Sequence, residues 1–459
     1  MTVAVRDFWQ LYPKALSVDA GGIKVGLMPP LKEDQYAEAS KDPVQLAHLY
    51  YNLQGGCYKI KQGQTKTHEL MLSFEQAPDR TGLDAFQQGV AAVAPSAWMC
   101  GSMALGEVPP AGTVGSSRFD AQMAKGAIAF LTARDKRRDY GMMNHGDWWG
   151  ERGFNWGNIE YDDAHVWLTQ FARTGDMGCL TAGDRAAKHY GDVDCVHAHA
   201  DARRMGAGYS HCIGHVGGFF KTRPVDGGTL NGGHSPCHTR TEGLVEHFLL
   251  TGDRRSLEAA RGIADRYDGG WLNNYDYGNC RIPGWHLVLT MSLYNATADP
   301  FYLNAARIIA QRVIERQAPE GGWQRNLVPG HCFCLPRHRG EAGFMVGVLL
   351  AGLKYYHQAT DDRRAADALV GGARALIRET YDFREKQFRY TTCPYSSMPS
   401  TTGNMACEGF AYAARLTGDK ELRQVTRAVI EDIIKRANGG SAAGVRFAPG
   451  ALWDLDRME

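Results

Sequence analysis

The sequence predicts a mainly α-helical protein: an (α/α)6 toroid preceded by a small β-domain. Three observations predict it. A loop built on Thr-Gly-Asp or a relative recurs five times, each time between two helical patterns. Ala-rich amphipathic stretches such as "SLEAARGIADRY" and "ELRQVTRAVIEDII" follow several of these loops. The loops, at Thr174, Thr251, Thr297, Thr360 and Thr417, are unevenly spaced, whereas a solenoid repeats at a fixed period. Helical hairpins joined by long, uneven connections suit a closed ring, with short loops on one face and long connections on the other.

Residues 1–117 have a different texture. "VAVRDFWQLYP", "GGIKVGLMPP" and "GCYKIKQGQTKTHELMLSF" are β-rich runs bounded by Gly, Pro and Gln-Gly turns. They are read as the β-domain. From residue 118 the pattern is helical, beginning with "RFDAQMAKGAIAFLTARDKR". In the loops "RTGDMG", "LTGDRR", "ATADPF", "ATDDRR" and "LTGDKE" the aspartate is suited to cap the second helix and glycine to end the first. Five hairpins are visible over 118–440. The sixth involves residues 118–140 or the C-terminal helix, and 441–459 are read as a tail.

Bulk properties narrow the function. The 459 residues carry a formal net charge of +1, 44% hydrophobic and 22% charged residues. No global electrostatic case exists for nucleic acid or an acidic membrane. No run of about 18 apolar residues suggests a membrane span. The N-terminus lacks a basic region followed by an apolar core. The eleven cysteines are scattered, without a CxxC motif. Reduced thiols and a cytoplasmic location are the expectation.

Chemistry-bearing residues gather in the long connections. Residues 142–165, "MMNHGDWWGERGFNWGNIEYDDAH", mix tryptophans with histidines, Arg152, asparagines and five carboxylates. Seven of the sixteen histidines lie between His189 and His238. His211-x3-His215 and His234-x3-His238 have metal-like spacing only if helical, and Gly and Pro interrupt both. "HCFC" at 331–334 with His338 is a second metal-like cluster, for which buried thiols are the plainer reading. No cofactor is expected, with a divalent cation the one candidate aid. His189, His197 and His199 are expected to hold loops by hydrogen bonds. Glu242, Glu341 and Glu408, each followed closely by Gly at a helix start, are candidates for capping or for substrate contact.

"GGCYKIKQGQTKTHELMLSF", "DWWGERGFNWGNIEYD", "HCIGHVGG" and "HTRTEGLVEHFLLTGD" resemble the exo-rhamnogalacturonan lyase and YetA-like group, linked to polysaccharide lyase family 26 and its neighbours. The resemblance implies a RIFT-barrel-type β-domain before the toroid. Chains of that group are longer, so this one is expected to begin partway through the β-domain and to leave strand edges and apolar surface exposed. The implied activity is β-elimination on a uronic-acid-containing polysaccharide of rhamnogalacturonan type. Under that reading Arg152, Arg240 or Arg281 with Asn155 neutralise the carboxylate. Tyr209, His211, His215 or His238 supply base and acid, with His215 or His238 favoured as base and Tyr209 as acid. Trp149, Trp156, Tyr275 and Tyr277 stack on sugar faces. Asp147, Asn158, Glu160, His234, Glu242, His331 and Arg339 complete the binding set. Two rival readings stand beside it: a glycoside hydrolase using Asp147, Glu160 or Glu242, and a non-catalytic carbohydrate-binding relative.

Overall fold

The computed structural model describes residues 1–75, 79–89, 91–113, 115–151, 155–208, 215, 235–273, 275–436 and 442–458. Four strands open the chain: β1 (Thr2–Val5), β2 (Ala15–Asp19), β3 (Gly22–Gly26) and β4 (Leu70–Ser73). They form two antiparallel two-stranded sheets, β1 with β4 and β2 with β3. The expected β-domain is therefore two small sheets among the described residues, not a barrel. Short helices α1 (Pro43–Gln45), α2 (Arg80–Gln88) and α3 (Ser96–Gly101) lie among the remaining residues. Leu72, Phe74 and Val18 stand exposed on or beside these strands. Thr67 anchors the segment to the ring by donating through its backbone N–H and Oγ1 to the Asp192 carboxylate, at 2.8 and 2.9 Å.

The ring follows. Its outer helix α4 (Ser117–Arg137) precedes five hairpins: α5 (Asp163–Thr174) with α6 (Met177–Asp192), α7 (Glu242–Thr251) with α8 (Arg254–Gly270), α9 (Arg281–Thr297) with α10 (Pro300–Glu315), α11 (Gly343–Thr360) with α12 (Arg363–Thr380), and α13 (Thr402–Thr417) with α14 (Lys420–Arg436). The first helix of each pair is buried nearly all round or along its first half, and the second on one stripe. The first helices are thus the inner ring. A helix of that kind carries apolar or small residues on every face.

Each hairpin turns by the same chemistry. The terminal threonine donates Oγ1 to the carbonyl one turn back and accepts the N–H of the aspartate two residues on, as in Thr174 with Gln170 and Asp176. The pattern repeats at Thr251, Thr297, Thr360 and Thr417. Asp176, Asp253, Asp299, Asp362 and Asp419 then accept backbone N–H groups of the following helix. Left-handed residues end the first helix: glycine in three loops, Ala298 and Asp361 in the other two.

The sixth position is built from both sides of the sequence. Helix α15 (Ala442–Val445) leads into α16 (Ala448–Asp456), which packs against inner helix α13. Outer helix α4 lies between α6 and α14, and Arg118 bonds Glu431 at 2.8 Å. The stretch read as a tail is therefore an inner helix, because Ala448, Ala451, Leu452 and Leu455 bury against the ring.

The Glu-Gly pairs on the inner helices, one at the start of α7 and one within α13, have a packing reason. A Cβ on Gly243 would lie 2.3 Å from Asp162 Oδ1, and one on Gly409 would lie 2.4 Å from Leu350 Cβ. The glycines let neighbouring inner helices touch, and the glutamates beside them enter the axis. Glu242 pairs with Arg446. Glu408 accepts from Lys354 at 2.9 Å and from Tyr355 at 3.0 Å. Neither has a helix cap as its main partner. Lys354, 1% exposed, also lies 3.4 Å from Asp454 and 3.6 Å from Glu107. Burial alone would lower its pKa, but Glu408, Asp454 and Glu107 outweigh it and raise it. Removing one member of such a buried set strands the rest. Lys354→Met is expected to lower the unfolding free energy by about 3–5 kcal/mol, measured by urea denaturation. A loss under about 1 kcal/mol would show the axis tolerates unpaired carboxylates.

Candidate functional site

The inner helices all present their N-termini to the face that carries the long connections. Unpaired N–H groups and aligned dipoles make that face favourable to anions. Three successive connections each deliver one polar side chain there. Glu160 ends the helical turn Asn158–Glu160 ahead of α5. His238 ends the turn Pro236–His238 ahead of α7, capped by Ser235. Arg281 is the first residue of α9. Arg281 donates to Glu160 Oε1 at 2.7 Å, and His238 Nε2 lies 3.4 Å from the same oxygen. Glu160 is buried, while the His238 and Arg281 side chains keep 16% and 21% exposure. The carboxylate thus orients a cation and an imidazole that both reach solvent. Cys237 Sγ sits 2.8 Å from His238 Nδ1 and fixes the ring from its other side.

A wall continues from Arg281. Its guanidinium lies 5.8 Å from the Phe344 ring, which stacks on Tyr390 at 5.6 Å, and Tyr390 meets His331 edge-on at 5.4 Å. Burial, with Arg325 and Arg281 nearby, lowers the His331 pKa. Glu341 lies just before α11 and is nearly buried. Burial, helped by Glu379, holds its carboxyl well above the usual range.

A second cluster lies beneath the connection at 142–165. Strands β5 (Trp149–Glu151) and β6 (Asn155–Trp156) pair there. Asp147, His189, Asp194 and His215 are all fully buried. His189 Nε2 lies 3.3 Å from Asp194 and 3.5 Å from Asp147. His215 engages Asn158 and Asp194 through Nδ1, each at 3.1 Å, and Asn144 through Nε2 at 3.0 Å. Burial would lower the His189 pKa, but Asp194 and Asp147 overcome it and raise it to about 9.

The structure sorts the expected site residues. Glu160, His238 and Arg281 come together. His215 has no exposed surface and both ring nitrogens engaged, so it is a structural node and not an accessible base. Asp147 belongs to the same node and accepts the Asn158 N–H at 3.1 Å. Asn158 also reaches His215, and Asn155 is buried. Arg240 is turned back on its own loop, donating to the Pro236, Cys237 and Thr239 carbonyls and stacking 3.5 Å above Trp285. It holds the loop that carries His238 and has no guanidinium face for a substrate carboxylate. Glu242 is taken by Arg446.

Trp156 is 0% exposed between Trp149, His48 and His215. It is core, not a sugar platform, whereas Trp149 is half-buried. Tyr277 is buried and donates to Leu272 O, with its ring face on Tyr275 at 4.4 Å. Tyr275 in turn faces His286. His331 is half-buried and Arg339 exposed on the neighbouring connection. Arg152, Tyr209, His211 and His234 lie outside the described residues. The loop-holding reading of His189, His197 and His199 holds: His189 pairs with carboxylates, His197 with Gly191 O, and His199 accepts the Asp201 N–H at 2.9 Å.

Sequence reading missed Asp194, Asn144, Phe344 and Tyr390; Asn144 and Asp194 lie within the stretches singled out above, but residue type alone did not mark them. Among the described residues two groups have metal-like geometry: the Asp147, His189, Asp194, His215 node, and Cys332, Cys334, His338, Cys393. No described helix is long and apolar enough to cross a membrane.

No protein-family model matches the chain, and no curated protein does. Solved structures share its fold. A cellobiose 2-epimerase from Spirochaeta thermophila DSM 6192 is 12% identical, with TM-score 0.50 over 76% of this chain and 98% of that one. A glycosyl hydrolase family 88 protein from Bacteroides vulgatus is 12% identical, with TM-score 0.50 over 74% and 99%. A polysaccharide lyase is 14% identical, with TM-score 0.49 over 74% and 97%. At such identities the likeness is one of toroid fold.

The buried node gives a pH dependence. The folded His189 pKa is above its unfolded value near 6.5, so its stabilisation is complete below about pH 6.5 and lost as pH rises through about 9. Unfolding free energy is expected to fall by about 3 kcal/mol over that interval. His189→Asn should be less stable at pH 6 and lose most of this slope. An unchanged slope would assign the titration elsewhere.

Proposed function

We propose that this chain is a carbohydrate-active enzyme that cleaves a uronic-acid-containing saccharide by β-elimination. The observation that carries this reading is the Glu160, His238, Arg281 cluster at the N-termini of three successive inner helices. The C5 proton of a uronate lies α to a carboxylate and becomes acidic once that carboxylate is neutralised. Arg281 spends one of its five N–H donors on Glu160 and has others for a substrate carboxylate. The α9 N-terminus adds its dipole. His238, steered by Glu160 and Cys237, takes the C5 proton. The C5–H electrons form the C4=C5 bond, the C4–O4 bond breaks, and O4 leaves with a proton from an acid. Tyr209 remains the proposed acid. The shared toroid fold of a family 88 glycosyl hydrolase and a cellobiose 2-epimerase supports sugar chemistry as the class.

A hydrolase is the second reading, and Glu341 favours it. Burial raises the Glu341 pKa, the direction a glycosidic general acid requires.

The test is an ultraviolet assay for unsaturated uronate on rhamnogalacturonan backbone, homogalacturonan, ulvan and alginate, beside a reducing-end assay. Rising absorbance on one substrate is expected, with His238→Ala slower by about a hundred- to ten-thousandfold. Arg281→Met should lower kcat/KM by at least about tenfold, since it removes a charge-assisted contact. Full activity in His238→Ala would remove it as base. New reducing ends without absorbance, lost in Glu341→Gln, would establish the hydrolase.

A further inference from the structure

We propose that Cys332, Cys334, His338 and Cys393 form a structural zinc site that clamps two connections on the functional face. The first three lie between α10 and α11, flanked by the two-residue strands β7 (Arg325–Asn326) and β8 (Arg339–Gly340). Cys393 lies 55 residues beyond His338. It follows the pairing of β9 (Tyr381–Asp382) with β10 (Gln387–Phe388), in the connection leading to α13.

The distances are those of a tetrahedron. Cys332 Sγ to Cys393 Sγ is 3.7 Å, and Cys334 Sγ to Cys393 Sγ is 3.9 Å. His338 Nδ1 lies 3.5 Å from Cys332 Sγ and 3.4 Å from Cys393 Sγ. All four ligand atoms lie within 4.8 Å of one another. Zinc binds thiolate at about 2.3 Å and imidazole at about 2.0–2.1 Å, so tetrahedral geometry puts sulfurs about 3.8 Å apart and nitrogen about 3.5 Å from sulfur. A disulfide would need sulfurs at about 2.05 Å. Three thiolates and one imidazole form a closed set, with no position left for substrate. The site is therefore structural and independent of the reaction proposed above.

The loop's surroundings argue the same way. Its own apolar cluster is small: Leu327, Cys332 and Cys393, with Cys334 against them. Phe333 and Leu335 point outward at 87% and 91% exposure. A loop folded by burial would reverse that arrangement. Here Cys332 and Cys393 are buried and Cys334 and His338 half-buried, while the large apolar side chains stand outside, as when metal binding supplies the folding energy. The Thr391 hydroxyl completes the clamp. Thr391 Oγ1 donates to His331 O at 3.3 Å and accepts the Cys393 N–H at 3.2 Å. The metal would therefore fix the relative positions of His331 and Tyr390.

The test is the metal content of the full chain, purified under reducing conditions without chelator and measured by inductively coupled plasma mass spectrometry. About one zinc per chain is expected. Cys393→Ser and Cys332→Ser should each cut retained zinc at least about tenfold, and the exposed Cys57→Ser should leave it unchanged. Should the variants fail to fold, wild-type protein stripped by chelator is titrated with Co2+. Thiolate-to-cobalt charge-transfer absorption with a tetrahedral d–d spectrum supports the site. Zinc retained equally by the cysteine variants would overturn the proposal. So would absence of zinc with no cobalt spectrum, or a Cys332–Cys393 disulfide in peptide maps of the native protein.

Discussion

A ring of helices leaves an interior that must be filled, and in this protein part of the fill, beside a large apolar core, is charge. Lys354 stands near the centre of that solution, holding Glu408 from α13, Asp454 from α16 and Glu107 from the segment before the ring. Arg415 bonds Asp454 at 2.7 Å and approaches Glu107 at 3.3 Å. Higher on the axis, Arg446 joins Asp162 and Glu242, and Glu246 bonds His165 at 2.7 Å. A mismatched apolar fill would leave voids; a half-satisfied polar fill would leave stranded charge. Each inner helix must therefore keep its register against its neighbours, and the glycines they carry allow the contact that does so.

That fixed register is what positions the functional face. Glu160, His238 and Arg281 belong to different connections, yet each sits within a few residues of an inner helix start. Their mutual distances are inherited from the spacing of α5, α7 and α9. The deeper Asp and His node serves a different end. It ties the outer helix α6, through His189, to the connection that bears Trp149 and Glu160, and leaves no ring nitrogen of His215 toward solvent. Burial separates the histidines: His238 keeps 16% side-chain exposure, whereas His189 and His215 keep none.

The hairpins were legible in the sequence because their signal is local. Thr-Gly-Asp encodes a helix end, a left-handed residue and a cap within three positions, and each element appears as expected. Ring closure was only partly legible. Arg415 and Glu107 are 308 positions apart, and no local pattern announces such a pair. The residue types of the site were readable, but not their exposure. Trp156, His215 and Arg240 look like ligand-binding residues in a Gly-rich loop, and burial removes them from that role. Cys393 stood alone in sequence, about sixty residues from the cysteines it joins, so the Cys-x-Cys pair looked incomplete.

The five hairpins each turn within two residues, so each can dock on its predecessor as soon as both its helices exist. The sixth position cannot be completed that way. Helix α4 is made early and waits for α14, met through Arg118 and Glu431 at a separation of 313 residues. Until α16 arrives, Lys354 and Glu408 face an axis open to water. Loop-closure entropy makes such distant pairing slow relative to helix docking. On a ribosome the ring would persist as an open arc through most of synthesis, its inner walls wet and charged. Apolar inner-helix residues such as Leu287, Val348 and Leu350, buried in the closed ring, line the open arc beside those charges, so closure also ends the interval in which the nascent chain is prone to aggregate.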